Sequence, residues 1–300
     1  MSNAIPATNP IRWPAEAVWQ AVAPSLQGFT VEVLPSIDSS NSELMRRFRG
    51  SPSGSGGSPG IDPRPEPTLL VAETQTAGRG RLGRNWHSRR GDSLTFSLGL
   101  PLSPADWSGL SLVVGISLAE SLDTGNGQPG RIGLKWPNDL WLTGPEGERK
   151  LAGILVETAA LEGLRYVVIG VGINICPVDL PAAAPTTHQA AAPMPPGYLQ
   201  DVLPGVDAAA ALLRVVPQLV QDVQAFERFG FAPFQARFAR RDVLAGRAVR
   251  LSDGTEGTAH GAGENGALLV HTPAGMKEIT SSEVSVRPVT GSTGGAVRPC

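Results

Sequence analysis

The 300-residue chain is 41% hydrophobic and 17% charged with a formal net charge of −2, a globular composition that excludes bulk disorder and a nucleic-acid coat. Two cysteines, Cys176 and Cys300, cannot build a disulfide framework or a thiolate metal site. The start of the chain has neither a basic nor an apolar signal region, and no run reaches ~18 apolar residues, so a soluble cytoplasmic protein is expected.

In chain order, Pro14 and the helical spacing of apolar residues after it predict a short helix ending near Pro24. Residues 29–34 read as a strand. Ser40 and Glu43 have capping-box spacing and predict a helix over 41–48. Residues 50–67, mostly Gly, Ser and Pro, are a flexible insertion. Strands at 68–72 and 94–100 flank a loop rich in Arg and Gly. A buried helix face covers 107–122, followed by strands at 133–136, 151–158 and 166–175. Residues 177–206, rich in Ala and Pro, form a second flexible insertion. Asp207 caps a long helical region reaching about 241, interrupted at Pro217 and Pro233. From 243, short β runs alternate with Asp253-Gly254, Asn265-Gly266 and Ala274-Gly275 turns, which predicts a small all-β barrel to 289 and a disordered tail over 290–300.

The chemistry is concentrated between the second and third strands. Gly78, Gly80 and Gly83 alternate with Arg79, Arg81 and Arg84, and Arg89 and Arg90 follow before the first acid, Asp92. Glycine lets the backbone approach an anion, and each guanidinium offers a fork of donors that matches phosphate oxygens and keeps its charge. Gly78-x-Gly80-x-x-Gly83 runs into Asn85-Trp86 and a strand rather than an apolar helix, which disfavours a dinucleotide site, and no kinase motifs follow. A solvated arginine loop or an RNA-binding segment stays open on these residues alone.

Lys135-Trp136-Pro137-Asn138-Asp139 is either a plain turn or a place where Lys135 meets anionic oxygens and Asp139 holds Mg²⁺ or orients an amine. Arg149-Lys150 opens an apolar strand containing Gly153, and Gly170 and Gly172 interrupt another before Asn174. Glycine inside a strand marks close approach by a ligand or by another backbone. The four histidines lack ligand spacing, and no nucleophile elbow or Walker A sequence is present.

Together these segments resemble the biotin protein ligase family. Asp38-Ser39-Ser40-Asn41, the Gln75 to Trp86 loop, Lys-Trp-Pro-Asn-Asp, Arg-Lys-Leu-Ala-Gly-Ile-Leu and Gly-x-Gly-Ile-Asn follow the family's motifs in its order, spanning roughly 29–288. Ser40 stands where threonine is usual, which keeps the hydroxyl and drops a methyl contact.

The resemblance implies an α+β fold: a central mixed β-sheet with flanking helices, class II synthetase-like, over 29–241, and an SH3-like barrel over 243–289, after an N-terminal extension at 1–28. That extension is too short for a winged helix, so the monofunctional form is expected. The implied activity is ATP-dependent: biotin becomes biotinyl-5′-AMP, and a lysine of a biotin carboxyl carrier domain then takes the acyl group. Substrates would be biotin and ATP with Mg²⁺. The partner would be the carrier domain of acetyl-CoA carboxylase or a related carboxylase, with no DNA or membrane, the chain being a monomer or homodimer.

By the same resemblance Ser39, Ser40, Gln75, Gly78, Arg79, Lys150, Gly153 and Gly170 would bind biotin. Arg79, Arg81, Arg84, Trp86, Lys135 and Asn174 would bind the nucleotide. Lys150, Arg79, Arg81, Arg84 and Asp139 would serve catalysis, with Asp139 the candidate Mg²⁺ ligand. A lipoate ligase or lipoyl transferase, and a biotin-responsive repressor, are the alternatives.

Overall fold

The computed structural model describes residues 10–50, 65–123, 130–161, 163–177, 194–280 and 286–289. Its elements run α1 (Ala15–Val22), β1 (Thr30–Leu34), α2 (Ser40–Gly50), β2 (Thr68–Ala72), β3 (Ser93–Pro101), α3 (Leu110–Leu122), β4 (Ile132–Lys135), β5 (Asp139–Leu142), β6 (Arg149–Leu161), β7 (Leu164–Asn174), α4 (Ala208–Phe229) and α5 (Gln235–Ala239). Five short strands close the chain: β8 (Ala248–Leu251), β9 (Glu256–Ala262), β10 (Leu268–Thr272), β11 (Gly275–Ile279) and β12 (Val286–Pro288).

The first seven strands form one sheet in the order β1-β2-β3-β7-β6-β5-β4. It is parallel between β1 and β2, on either side of α2 in the sequence, and antiparallel elsewhere, a mixed sheet as expected. The last five strands form an antiparallel sheet in the order β11-β10-β9-β8-β12, the SH3-like unit.

Side chains of a strand alternate between faces, so the register decides what each face carries. On one face Leu94, Phe96 and Leu98 of β3, Ile169, Val171 and Ile173 of β7, and Ala152 and Ile154 of β6 join α3 and α4 in the main core. On the other face α2 covers only part of the sheet. Its Leu44, Met45 and Phe48 pack on Leu70, Val168 and Tyr166, with the Phe48 ring stacked on Tyr166 at 4.7 Å. The remainder of that face is an open floor.

Four departures from the expected elements occur. Ser39 rather than Ser40 caps α2: the Ser42 N–H lies 3.4 Å from Ser39 Oγ, while Glu43 pairs with Arg46 and Arg47 instead of closing a capping box. Pro217 sits inside α4, which runs on unbroken to Phe229. The strand β5 is new; its four residues are too short a run to read between the Pro137 turn and the Gly144-Pro145 loop. The third departure in chain terms concerns 177–206, whose described part is fixed. Lys150 N–H donates to Pro195 O at 2.9 Å, Gly197 N–H to Lys150 O at 2.8 Å, and Arg149 pairs with Asp201 at 2.9 Å. Most of the 50–67 insertion, the 178–193 stretch and the 290–300 tail lie outside the described residues.

The two sheets meet around one hairpin. Linker residues 241–243 bond to Leu134 of β4, through Leu134 N–H to Arg241 O at 2.7 Å and Val243 N–H to Leu134 O at 3.1 Å. Trp136, fully buried, donates its Nε1–H to Gly266 O at 3.0 Å. Gly266 has φ +78°, and a Cβ there would stand 2.6 Å from Gly109 Cα, backbone against backbone. Gly266→Ala is therefore expected to destabilise the protein by roughly 2–3 kcal/mol, from left-handed strain and overpacking together. Thermal unfolding checks it, with a clearly lowered Tm expected.

Candidate active site

The open floor has glycine at three of its six central positions. Register pairs Thr95 with Gly172 and Gly172 with Gly153, and it pairs Ser97 with Gly170 and Gly170 with Leu155. The loop after β2 roofs this floor, and the β4–β5 hairpin walls it.

At one end lies a knot of buried polar groups. Ser39, Ser40 and Asn41 are each 3% exposed. The Ser40 N–H donates to Gln75 Oε1 at 2.7 Å, which fixes the orientation of the Gln75 amide, and Ser40 Oγ lies 3.0 Å from the same oxygen. Ser97 Oγ lies 2.7 Å from Ser40 Oγ and 2.6 Å from Asn41 Oδ1. Two further polar atoms of lining residues, Thr95 Oγ1 and Trp86 Nε1, are buried with no partner among the described residues. Buried polar atoms normally have partners, so these two suit a bound molecule.

At the other end cations crowd one carboxylate. Asp139 Oδ1 pairs with Lys150 Nζ at 2.7 Å, and Arg81, Arg84 and Lys135 line the same space. Burial lowers the pKa of Lys135 to about 8 against the pull of Asp139, and Lys150, Arg84 and Arg81 lower it further. Burial also lowers the pKa of Arg81, partly offset by Asp139, though a guanidinium keeps its proton. With four cationic groups around a single acid, this end is built for an anion. Arg81 Nη1–H donates to Asn138 Oδ1 at 3.2 Å, and Asn138 Nδ2–H donates to Ile154 O at 2.8 Å, tying loop, hairpin and β6 together.

Ser39, Ser40, Gln75, Arg79, Arg81, Arg84, Trp86, Lys135, Asp139, Lys150, Gly153 and Gly170 all line this cleft; Gly78 and Asn174 do not. A Cβ on Gly78 would lie 2.4 Å from Trp86 O, so its bareness lets the loop cross itself. Asn174 donates to Lys150 O and Gly197 O, both at 3.2 Å, and clamps the backbone under Lys150 rather than facing a nucleotide. Gly170 makes room for Asn41, whose Oδ1 would be 2.2 Å from an added Cβ. A Cβ on Gly172 would be 2.3 Å from the Trp86 indole, which lies directly on it.

Asp139 does not fit a protein-held Mg²⁺ site: its carboxylate is engaged by Lys150, and no group of three ligating side chains exists among the described residues. Ser97 is a site residue that no sequence motif named, whereas Asn41, Asn138 and Gly172 lay inside the motifs without an assigned role. The alternation of Ser97 with apolar Phe96 and Leu98 is the signal that could have found it.

Floor, cationic end and appended small sheet define an enzyme that joins an anionic group to another molecule beside a small polar pocket. Residues 60–174 match the Biotin/lipoate A/B protein ligase family, and residues 245–287 match the Biotin protein ligase C terminal domain. The Bifunctional ligase/repressor BirA of Escherichia coli is 34% identical over 87% of this chain and 75% of its own length. The Biotin--[acetyl-CoA-carboxylase] ligase of Paracoccus denitrificans is 31% identical over 72% of this chain and 88% of its own. The solved biotin protein ligase from Aquifex aeolicus in complex with biotin and ATP superposes with a TM-score of 0.65 at 29% identity, covering 86% of this chain and 99% of that one. The chain belongs to the biotin/lipoate A/B protein ligase family, on its biotin protein ligase branch.

The depressed Lys135 has a measurable consequence. Between about 8 and the usual 10.5 the folded chain holds fewer protons than the unfolded one, so stability rises with pH across that window and the burial penalty is fully felt below it. Lys135→Met should be more stable than wild type at pH 7 by roughly 2–3 kcal/mol. Urea unfolding at a series of pH values should show that gap closing as pH rises above about 8.

Proposed function

We propose that this chain is an ATP-dependent biotin protein ligase, which activates biotin as biotinyl-5′-AMP and passes the acyl group to a lysine of a carboxyl carrier domain. The observation that carries the reading is the pairing of a polar knot with a cationic end on one glycine floor, a layout that suits a small neutral ring joined to a carboxylate beside a triphosphate. The C-terminal match favours biotin over lipoate.

In the first step a carboxylate oxygen attacks the α-phosphorus, and the bond to the β-phosphate bridging oxygen breaks, releasing pyrophosphate. Two anions must meet, so Lys150, Arg81, Arg84 and Lys135 neutralise the charge that gathers at the α-phosphate. Mg²⁺ would arrive on the triphosphate. Ser39, Ser40 and Gln75 hydrogen-bond the ring, Gly153 leaves space above β6, and Trp86 closes over the adenylate. In the second step the carrier amine attacks the acyl carbon, AMP leaves, and the amine loses a proton. Asp139 first fixes the Lys150 ammonium and then orients the incoming amine. The carrier is that of acetyl-CoA carboxylase or a related carboxylase.

Biotin should stimulate exchange of labelled pyrophosphate into ATP, and lipoate should not; the reverse result would reassign the substrate. Asp139→Asn should slow transfer from preformed biotinyl-5′-AMP by about 100-fold. Normal transfer by that variant would remove Asp139 from the second step.

A further inference from the structure

Arg79 turns its fork to β6 and α2. Its Nη2 pairs with Glu157 Oε1 at 2.9 Å, and its Nη1–H donates to Ser42 Oγ at 3.2 Å and reaches Glu157 Oε2 at 3.4 Å. Arg81, two residues on, reaches the hairpin instead. Arg81 thus ties the loop to the cationic wall and Arg79 ties it to β6 and α2.

Glu157 continues the connection inward. Its Oε2 accepts from Asn41 Nδ2 at 3.0 Å, and Asn41 also donates to Leu155 O at 3.2 Å. Asn41 Oδ1 meets Ser97 Oγ at 2.6 Å, and Ser97 Oγ meets Ser40 Oγ at 2.7 Å. Arg79, Glu157, Asn41, Ser97 and Ser40 therefore form an unbroken polar chain from the roof of the cleft to its floor. Gly170 is what lets Asn41 into that chain.

We propose that Glu157 is a positioning residue for this reaction: with Arg79 it forms a latch that holds the Arg-Gly loop closed over the activated acyl group, and the Asn41–Ser97–Ser40 chain couples the latch to occupancy of the ring pocket. The inference rests on the ligase reading above. Energetics fit a latch. The side chains of Arg79 and Glu157 are 49% and 22% exposed, and a pair that exposed shifts an equilibrium by no more than about fivefold. It can open for substrate entry and product exit, yet it still biases the loop. A ligand that orders Ser40 orders Asn41 and Glu157 with it, so filling the pocket favours the closed loop. Arg79 then acts by holding the lid rather than by neutralising phosphate, the role expected of it from the sequence.

The test begins with wild type. Failure of biotin-stimulated pyrophosphate exchange there would defeat the ligase reading itself. Given that exchange, Glu157→Gln should keep its rate within about twofold and raise labelling of a bystander protein such as serum albumin by about fivefold, because the mixed anhydride escapes. Arg79→Gln should raise labelling equally, and the double variant no further, since both remove one interaction. Added NaCl should bring wild-type leakage toward that of the variants and leave theirs unchanged, a response that a merely structural defect would not give. Bystander labelling by Glu157→Gln equal to wild type would overturn the latch. So would a slowing of exchange in Arg79→Gln that Glu157→Gln does not share, which would put Arg79 on the phosphate.

Discussion

The register of three strands sets everything else in this molecule. β3, β7 and β6 are aligned so that Thr95, Gly172 and Gly153 share one row of a face, and Ser97, Gly170 and Leu155 share the next. Because alternate residues point to opposite faces, the same alignment drives Phe96, Val171 and Ile154 into the core. A slip of one residue would bury the polar row and expose the apolar one. On the open face the glycines let other groups close onto the sheet, Asn41 over Gly170 and the Trp86 indole over Gly172, and the cleft lies between them.

Electrostatics then make the two ends of that floor different. The side chains of the knot at Ser40, Asn41, Gln75 and Ser97 are neutral and hold one another in place at short distances. The far end gathers Lys135, Lys150, Arg81 and Arg84 beside Asp139, a surplus of positive charge that suits an anion. A substrate with a neutral ring and an anionic tail is oriented by this gradient before any specific contact is counted. The loop that crosses between the ends is anchored to both, through Arg79 at the knot side and Arg81 at the charged side.

Most of the long elements were legible in the sequence because hydrophobic periodicity and turn residues agree there. The central strands, α3 and the β-rich C-terminal segment follow from pattern alone, and the order of short motifs pointed to the family. What could not be read were contacts between segments far apart in the chain. Asn174 looks like a ligand residue, yet it holds the Lys150 backbone; Gly170 looks like space for a ligand, yet Asn41 fills it. Glu157 reads in the sequence as a charge at the end of an apolar run, where it would ordinarily be solvated, and only the fold brings Arg79 and Asn41 to it. The capping error at Ser40 has the same origin, since its hydroxyl is drawn inward by Gln75 and Ser97 from distant strands.

The bond from Trp136 to Gly266 gives the small C-terminal sheet a stake in chemistry it does not perform. Trp136 is covalently flanked by Lys135 and Pro137, two walls of the cleft, and its indole is seated in the other unit. An exchange of that unit for a different module in evolution would have to present a carbonyl at the same spot and a residue as slim as glycine against Gly109. The appended sheet is thus constrained as a socket, and the reaction centre supplies the plug.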